Sequence, residues 1–234
     1  MIKKLVAFGC SWTYGDELED PGLQLGNSIQ GKRRDHLIQQ YRLEQSFPGL
    51  VANHYNLQLD NYGFPGASEE SIRYALNWYL KNHNLEDTII IVAHTDPARK
   101  SWFNTQINDP PWNRYMHSPW LKAPNPDIDD HWYQLQKLWL GMCYHQDWVS
   151  NNFQETVRLF DWVRLKFSIP VIQIKALKSR ESPDIDNFLY ADTSMQEILT
   201  DCKEPFFPGG HPTESGHKIL SKHLIDYIDS AKLV

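Results

Sequence analysis

The sequence has few cysteines, no excess of positive charge and no long hydrophobic run. Its 234 residues include three cysteines, too few for a disulfide framework, so we expect a reducing compartment. A formal net charge of −6 argues against a nucleic-acid partner, which requires a basic face. No apolar stretch approaches the ~20 residues of a membrane span. The absences therefore argue against a disulfide-stapled, a nucleic-acid-binding and a membrane-spanning protein.

The N-terminal segment has lysines followed by a short apolar stretch, loosely like an export signal. That stretch, Leu5–Phe8, is shorter than the ~7–15 residues of a signal-peptide core. It is better interpreted as a buried first strand. We therefore expect a cytoplasmic protein, or one not exported by a recognisable signal peptide.

Strand-like and helix-like patterns alternate along the chain. Continuous apolar runs predict strands at Leu5–Phe8, Leu57–Leu59, Thr88–Ala93 and Pro170–Ile174. Helical spacing and N-cap residues predict helices after Ser46, Ser68 and Thr213, and over Phe153–Phe167. This alternation is typical of a parallel sheet with helices on both faces. We predict one domain over residues 1–234.

Residues 97–148 interrupt this pattern. They hold six of the nine Trp and six of the fourteen Pro. A long Pro-rich stretch in a compact domain is usually an insertion or a lid. We expect this insertion to wall the functional site, where its indole rings could stack on sugars.

Ligands of parallel sheets bind beyond the carboxyl ends of the strands. Three segments should therefore share one rim: Gly9–Gly15, His94–Arg99 and the turn-rich Asn61–Gly66. Ser11 directly follows the first strand, where it is either a nucleophile or a helix cap. Cys10 beside it is either a packed side chain or a thiol nucleophile.

His211 lies in a Gly/Pro loop before the last helix, where it is either solvated or a general base. His211 and His217 are poorly spaced as a metal pair, and no Cys-x-x-Cys occurs, so we expect no metal. Glycine-rich nucleotide motifs are also missing from the sequence, and we expect no cofactor.

Three short blocks together resemble the SGNH, or GDSL-like, hydrolase superfamily. The matching residues are Gly9, Ser11, Thr13 and Gly15 of Gly-Asp-Ser-x-Thr-x-Gly, then Asn61-Tyr62-Gly63 with Gly66-Ala67-Ser68, and finally His211-Pro212 with Gly216-His217. The resemblance implies a flavodoxin-like three-layer α/β/α fold. It also implies esterase activity with Ser11 as nucleophile, His211 as base, and Gly63 and Thr95 at the oxyanion.

The sequence departs from the family pattern at two positions of the site. The family's oxyanion-donating Asn is replaced, so that the donor would be Thr95 or nothing. The acid normally found three residues before the catalytic His is Pro208 here. We expect a main-chain carbonyl or a water to orient His211, or else Asp201 or Glu204.

The resulting expectation is a serine esterase acting on a small-molecule or glycan ester. The alternative is a catalytically idle module of the same fold that binds a glycan or a protein partner. The missing Asn and Asp favour the module, whereas the intact Ser, Gly and His favour the enzyme. The sequence leaves the oligomeric state open.

Overall fold

The computed structural model describes residues 1–19, 32–101, 116–117, 145–179, 181–185 and 188–234. Its strands are β1 (Lys4–Gly9), β2 (Gln58–Gly63), β3 (Thr88–His94), β4 (Lys100–Ser101), β5 (Met116–His117) and β6 (Val171–Lys175). Its helices are α1 (Ser11–Tyr14), α2 (Lys32–Gln45), α3 (Phe47–His54), α4 (Glu69–Asn82), α5 (Gln146–Phe167), α6 (Met195–Asp201) and α7 (Glu214–Ala231).

Four strands form a parallel sheet in the order β2-β1-β3-β6. Chain order 2-1-3-4 along a parallel sheet is the flavodoxin-like arrangement. Beyond β6, the sheet is extended by isolated parallel bridges to Phe188 and Ser194. The α/β class and the parallel sheet predicted from the sequence are confirmed.

Helices cover the sheet on both faces. One face carries α3 and α7, which pack against each other, and the other carries α4 and α5. Phe8 of β1 lies on the second face, with its ring against Tyr79 of α4 and Phe160 of α5. The central strands are buried throughout Leu5–Phe8 and Thr88–His94, which explains why both read as continuous apolar runs.

Helix caps follow the predicted residues. Ser68 accepts a hydrogen bond from the Ser71 N–H, and Thr213 accepts one from the Gly216 N–H. Ser46 is the N-cap of α3 by its backbone, but its side chain makes no cap hydrogen bond. Capping side chains therefore identify the starts of α4 and α7 correctly.

Four elements differ from the sequence prediction. β2 runs through Gly63, so part of the predicted Asn61–Gly66 turn is strand. Helix α5 begins at Gln146, seven residues earlier than expected, and α2 and α6 were not predicted. Most of the predicted 97–148 insertion, like its role as a lid, lies outside the described residues. Within the described chain, no helix is both long and apolar enough to span a membrane.

Candidate functional site

The candidate residues follow three neighbouring strands of the sheet. In the register, Gly9 at the end of β1 pairs with Gly63 of β2, and Phe8 pairs with Val92 of β3. Ser11 thus follows the central strand of the three, and Thr95 directly follows β3. The sheet brings Ser11, Gly63 and Thr95 to one edge, as the sequence predicts.

Ser11 is the first residue of α1, and only 6% of its surface is exposed. The N-cap of this helix is Cys10, so Ser11 is not the cap that the alternative interpretation required. The Cys10 side chain is fully buried, which fits a packed residue. Gly15 ends the helix in the left-handed region, with φ of 79°.

Two motif glycines are needed for close packing around α1. A Cβ on Gly9 would lie 2.0 Å from Thr13 Oγ1, and a Cβ on Gly63 would lie 2.4 Å from the Tyr14 nitrogen. Neither space admits a side chain. The glycines therefore let the ends of β1 and β2 contact the short helix that carries Ser11.

The Gly63 amide already has a partner. It donates to Asn61 Oδ1 at 2.8 Å, while Asn61 Nδ2 donates to the Thr13 carbonyl at 2.9 Å. Asn61 thereby ties the end of β2 to α1. To stabilise an oxyanion as predicted, the Gly63 amide would have to share or exchange this hydrogen bond.

Thr95 is held at both its backbone and its side chain. Its N–H donates to Glu69 Oε1 at 2.8 Å, and its Oγ1 accepts from Arg99 Nη1 at 3.0 Å. Thr95 is almost completely buried. Its position after β3 was predicted, but its two partners were not.

Glu69 belongs to a buried polar chain. Its Oε2 lies 3.0 Å from His94 Nδ1, and His94 Nε2 lies 3.0 Å from Gln173 Oε1. All three side chains are fully buried. Glu69 lies in the first turn of α4, where the helix dipole favours an acid, and its side chain faces inward, onto His94 and the Thr95 amide.

His211 is oriented by a carboxylate from the other end of the chain. Its Nδ1 lies 2.6 Å from Glu17 Oε2, and the Gly209 N–H donates to Glu17 Oε1 at 3.1 Å. The expectation of a carbonyl, a water, Asp201 or Glu204 at this nitrogen is wrong. Glu204 instead accepts from the Thr213 and Ser215 hydroxyls.

The Glu17 carboxylate is stabilised by these contacts. Partial burial tends to raise its pKa, but the hydrogen bonds from His211 and Gly209 outweigh it and lower the pKa below its ordinary value. An ionised Glu17 accepts the Nδ1 proton of His211. The tautomer with a free lone pair on Nε2 is therefore favoured, which is the form a general base needs.

Ser11 and His211 share one region without a direct hydrogen bond. Between these two described residues none is formed, and His211 Nε2 lies 3.9 Å from Asp16 Oδ2. Trp12 packs on Phe206, with ring centroids 5.8 Å apart, so the Ser11 helix contacts the segment leading to His211. Catalytic hydrogen bonds are often long without a substrate and tighten when one binds.

Comparison with known proteins gives structural neighbours only, since no family model and no curated protein matches the chain. A lipolytic protein of the G-D-S-L family from Veillonella parvula has a TM-score of 0.49 and 12% identity, covering 96% of this chain and 97% of that one. A protein described as a GDSL-like lipase from Parabacteroides merdae has a TM-score of 0.44 and 10% identity, covering 100% and 99%.

A third neighbour, a protein from Desulfitobacterium hafniense described as a lipolytic protein of the G-D-S-L family, has a TM-score of 0.35 and 12% identity, covering 95% of this chain and 97% of that one. All three are described as GDSL-type proteins. With TM-scores below 0.5, these likenesses do not assign a reaction, and the function proposed below rests on the side chains at the sheet edge.

Proposed function

We propose that the protein is a serine hydrolase of the SGNH type that cleaves ester bonds. The observation that carries the proposal is the contact between His211 Nδ1 and Glu17 Oε2 at 2.6 Å. Glu17 replaces the acid that the sequence lacks at position 208, where Pro208 stands. It contacts Nδ1, the imidazole nitrogen that the orienting carboxylate contacts in a Ser-His-acid triad.

In the proposed reaction, Ser11 Oγ attacks the carbonyl carbon of the ester while His211 Nε2 takes the hydroxyl proton. The tetrahedral intermediate collapses, the carbon–oxygen bond to the alcohol breaks, and the imidazolium returns its proton to the departing alkoxide. Water then attacks the acyl-serine with His211 as base, and this step releases the acid and restores Ser11. This step requires Ser11 Oγ and His211 Nε2 to come within hydrogen-bond reach when the substrate binds.

The negative oxygen of the intermediate needs preorganised donors. We assign this role to the Thr95 hydroxyl, the Ser11 amide and the Gly63 amide, the last after exchange with Asn61 Oδ1. A hydroxyl is shorter than the amide of the missing Asn, so we expect a slow enzyme. The substrate class that we propose is a small-molecule or glycan ester.

A second candidate function is a catalytically idle module of this fold that binds a glycan or a protein. Two observations favour it: no hydrogen bond joins Ser11 to His211, and the Gly63 amide is occupied by Asn61. Neither observation explains why Glu17 should hold His211 in the tautomer of a base. The esterase is therefore the better account.

A fluorophosphonate probe for serine hydrolases distinguishes the esterase from the binding module. Covalent labelling of wild type, but not of Ser11→Ala, supports the esterase. Ser230→Ala, at an exposed position of α7, is the matched control and should be labelled like wild type. If the wild-type protein is not labelled and hydrolyses no aryl ester, the esterase proposal fails and the binding module is the better account.

A further inference from the structure

Arg99 connects two segments of the candidate site. Its Nη1 donates to Thr95 Oγ1 at 3.0 Å and approaches the Ala67 carbonyl oxygen at 3.5 Å. Ala67 lies between β2 and α4, whereas Thr95 directly follows β3. One guanidinium nitrogen, with two N–H groups, therefore joins the segments that follow two different strands.

The contact fixes the role of the Thr95 hydroxyl. A guanidinium can only donate, so Oγ1 must accept from Arg99 and its single proton is directed elsewhere. The nearby positive charge withdraws electron density from Oγ1 and makes its O–H a stronger donor. Arg99 thus turns Thr95 into an oriented, polarised donor.

The backbone of Thr95 is fixed independently of Arg99. Glu69 accepts its N–H, His94 holds Glu69, and Gln173 holds His94 while donating to the Val157 carbonyl at 3.2 Å. This chain is buried and runs from β6 to the end of β3. A donor held in this way needs no reorganisation when charge develops on a substrate oxygen.

We propose that Arg99 is a positioning residue for ester hydrolysis, which aims and strengthens the Thr95 hydroxyl in place of the missing oxyanion-binding Asn. This inference rests on the proposed function, with Thr95 as an oxyanion donor. It adds that Arg99 acts through Thr95, and that the pair works as one unit.

A double-mutant cycle on hydrolysis of a short-chain aryl ester tests this coupling. We expect Arg99→Met to lower kcat about tenfold with KM nearly unchanged, since the lost interaction strengthens in the transition state. Thr95→Val should lower kcat at least as much. In the double variant, removing Arg99 should then cost nothing further. Arg99→Lys, which keeps a cationic donor, should recover part of the loss.

Arg158→Met is the matched control, because Arg158 is exposed on α5 and pairs with Asp184. It should leave kcat unchanged. Thermal unfolding of each variant separates misfolding from lost activity, and Arg99→Lys provides a folded variant if Arg99→Met unfolds. Additive losses in the double variant, or an unchanged kcat in Arg99→Met, overturn the inference while the esterase stands. A wild type without esterase activity and without probe labelling overturns both.

Discussion

Glu17 and His211 are 194 positions apart in the chain, yet Glu17 Oε2 lies 2.6 Å from His211 Nδ1. The same carboxylate accepts the Gly209 N–H, so it holds both the imidazole and the loop that carries it. A Cβ on Gly209 would lie 2.5 Å from Glu17 Oε2, and glycine is therefore needed for this approach. The segment after the predicted nucleophile thus supplies the acid that the histidine loop lacks.

Ser11→Ala should abolish hydrolysis of a short-chain aryl ester and leave the fold intact. Ser11 is the predicted nucleophile, and alanine at the first position of α1 requires no change of backbone. Initial rates and circular dichroism check the two statements, with Ser230→Ala as control. Retained activity in a clean preparation would remove Ser11 from the mechanism.

Glu17→Gln should lower kcat about 10²-fold or more, because a neutral amide neither fixes the Nδ1–H tautomer nor stabilises the imidazolium. Steady-state kinetics measure the effect. Glu44→Gln is the matched control, because Glu44 is exposed on α2 and accepts a hydrogen bond from the Gln40 side chain. Its kcat should equal that of wild type. An equally active Glu17→Gln would show that this carboxylate is not the orienting acid.

Pro208→Asp should have little effect in wild type, since Glu17 already occupies His211 Nδ1. In the Glu17→Gln background the same change should restore part of the activity, because it places a carboxylate where the family pattern has one. Comparing kcat of the single and double variants measures the rescue. Strong acceleration in wild type would mean that Glu17 is a poor orienting group.

The sequence predicted the elements of the sheet better than the contacts of the site. Apolar runs and capping residues are local signals, and they located four strands and the starts of α4 and α7. The Glu17–His211 contact is not local: it depends on how α1 and the last loop meet. The one available signal was an acid pair, Asp16-Glu17, in the first block of a sequence whose last block lacks an acid.

Glu69 illustrates the same limit at shorter range. An acid in the first turn of a helix reads alike whether it faces solvent or the core. Its inward partner is His94, 25 residues further along, and only the packing of α4 on β3 brings the two together. The buried chain behind Thr95 was therefore missed, although the position of Thr95 at the end of a strand was predicted.

Thr95→Asn should keep or raise activity, because Asn supplies the amide donor that the family uses at this position. Thr95→Val keeps the shape but removes the hydroxyl, and hydrolysis should fall about tenfold or more. Relative kcat values for the three side chains test this. Equal rates would mean that Thr95 only terminates β3 and takes no part in the reaction.

His217 should make folding stability depend on pH. It is buried on Phe47, its Nδ1 accepts the Phe47 N–H at 3.1 Å, and this bond requires the neutral ring. Burial, with a smaller contribution from the charge of His211, lowers its pKa from 6.5 to about 3. Between pH 6.5 and about pH 3, His217 therefore binds a proton in the unfolded chain but not in the folded one. The free energy of unfolding falls as the pH drops below 6.5.

Between pH 7 and pH 5, this group alone should remove about 2 kcal/mol from the free energy of unfolding. His217→Asn retains an acceptor for the Phe47 N–H but does not titrate. It should be less stable at pH 7, because the ring stacking is lost, yet lose about 2 kcal/mol less on going to pH 5. Urea unfolding at both pH values measures the difference, with the exposed His54→Asn as control. The same pH dependence in wild type and His217→Asn would show that His217 is protonated in the folded protein.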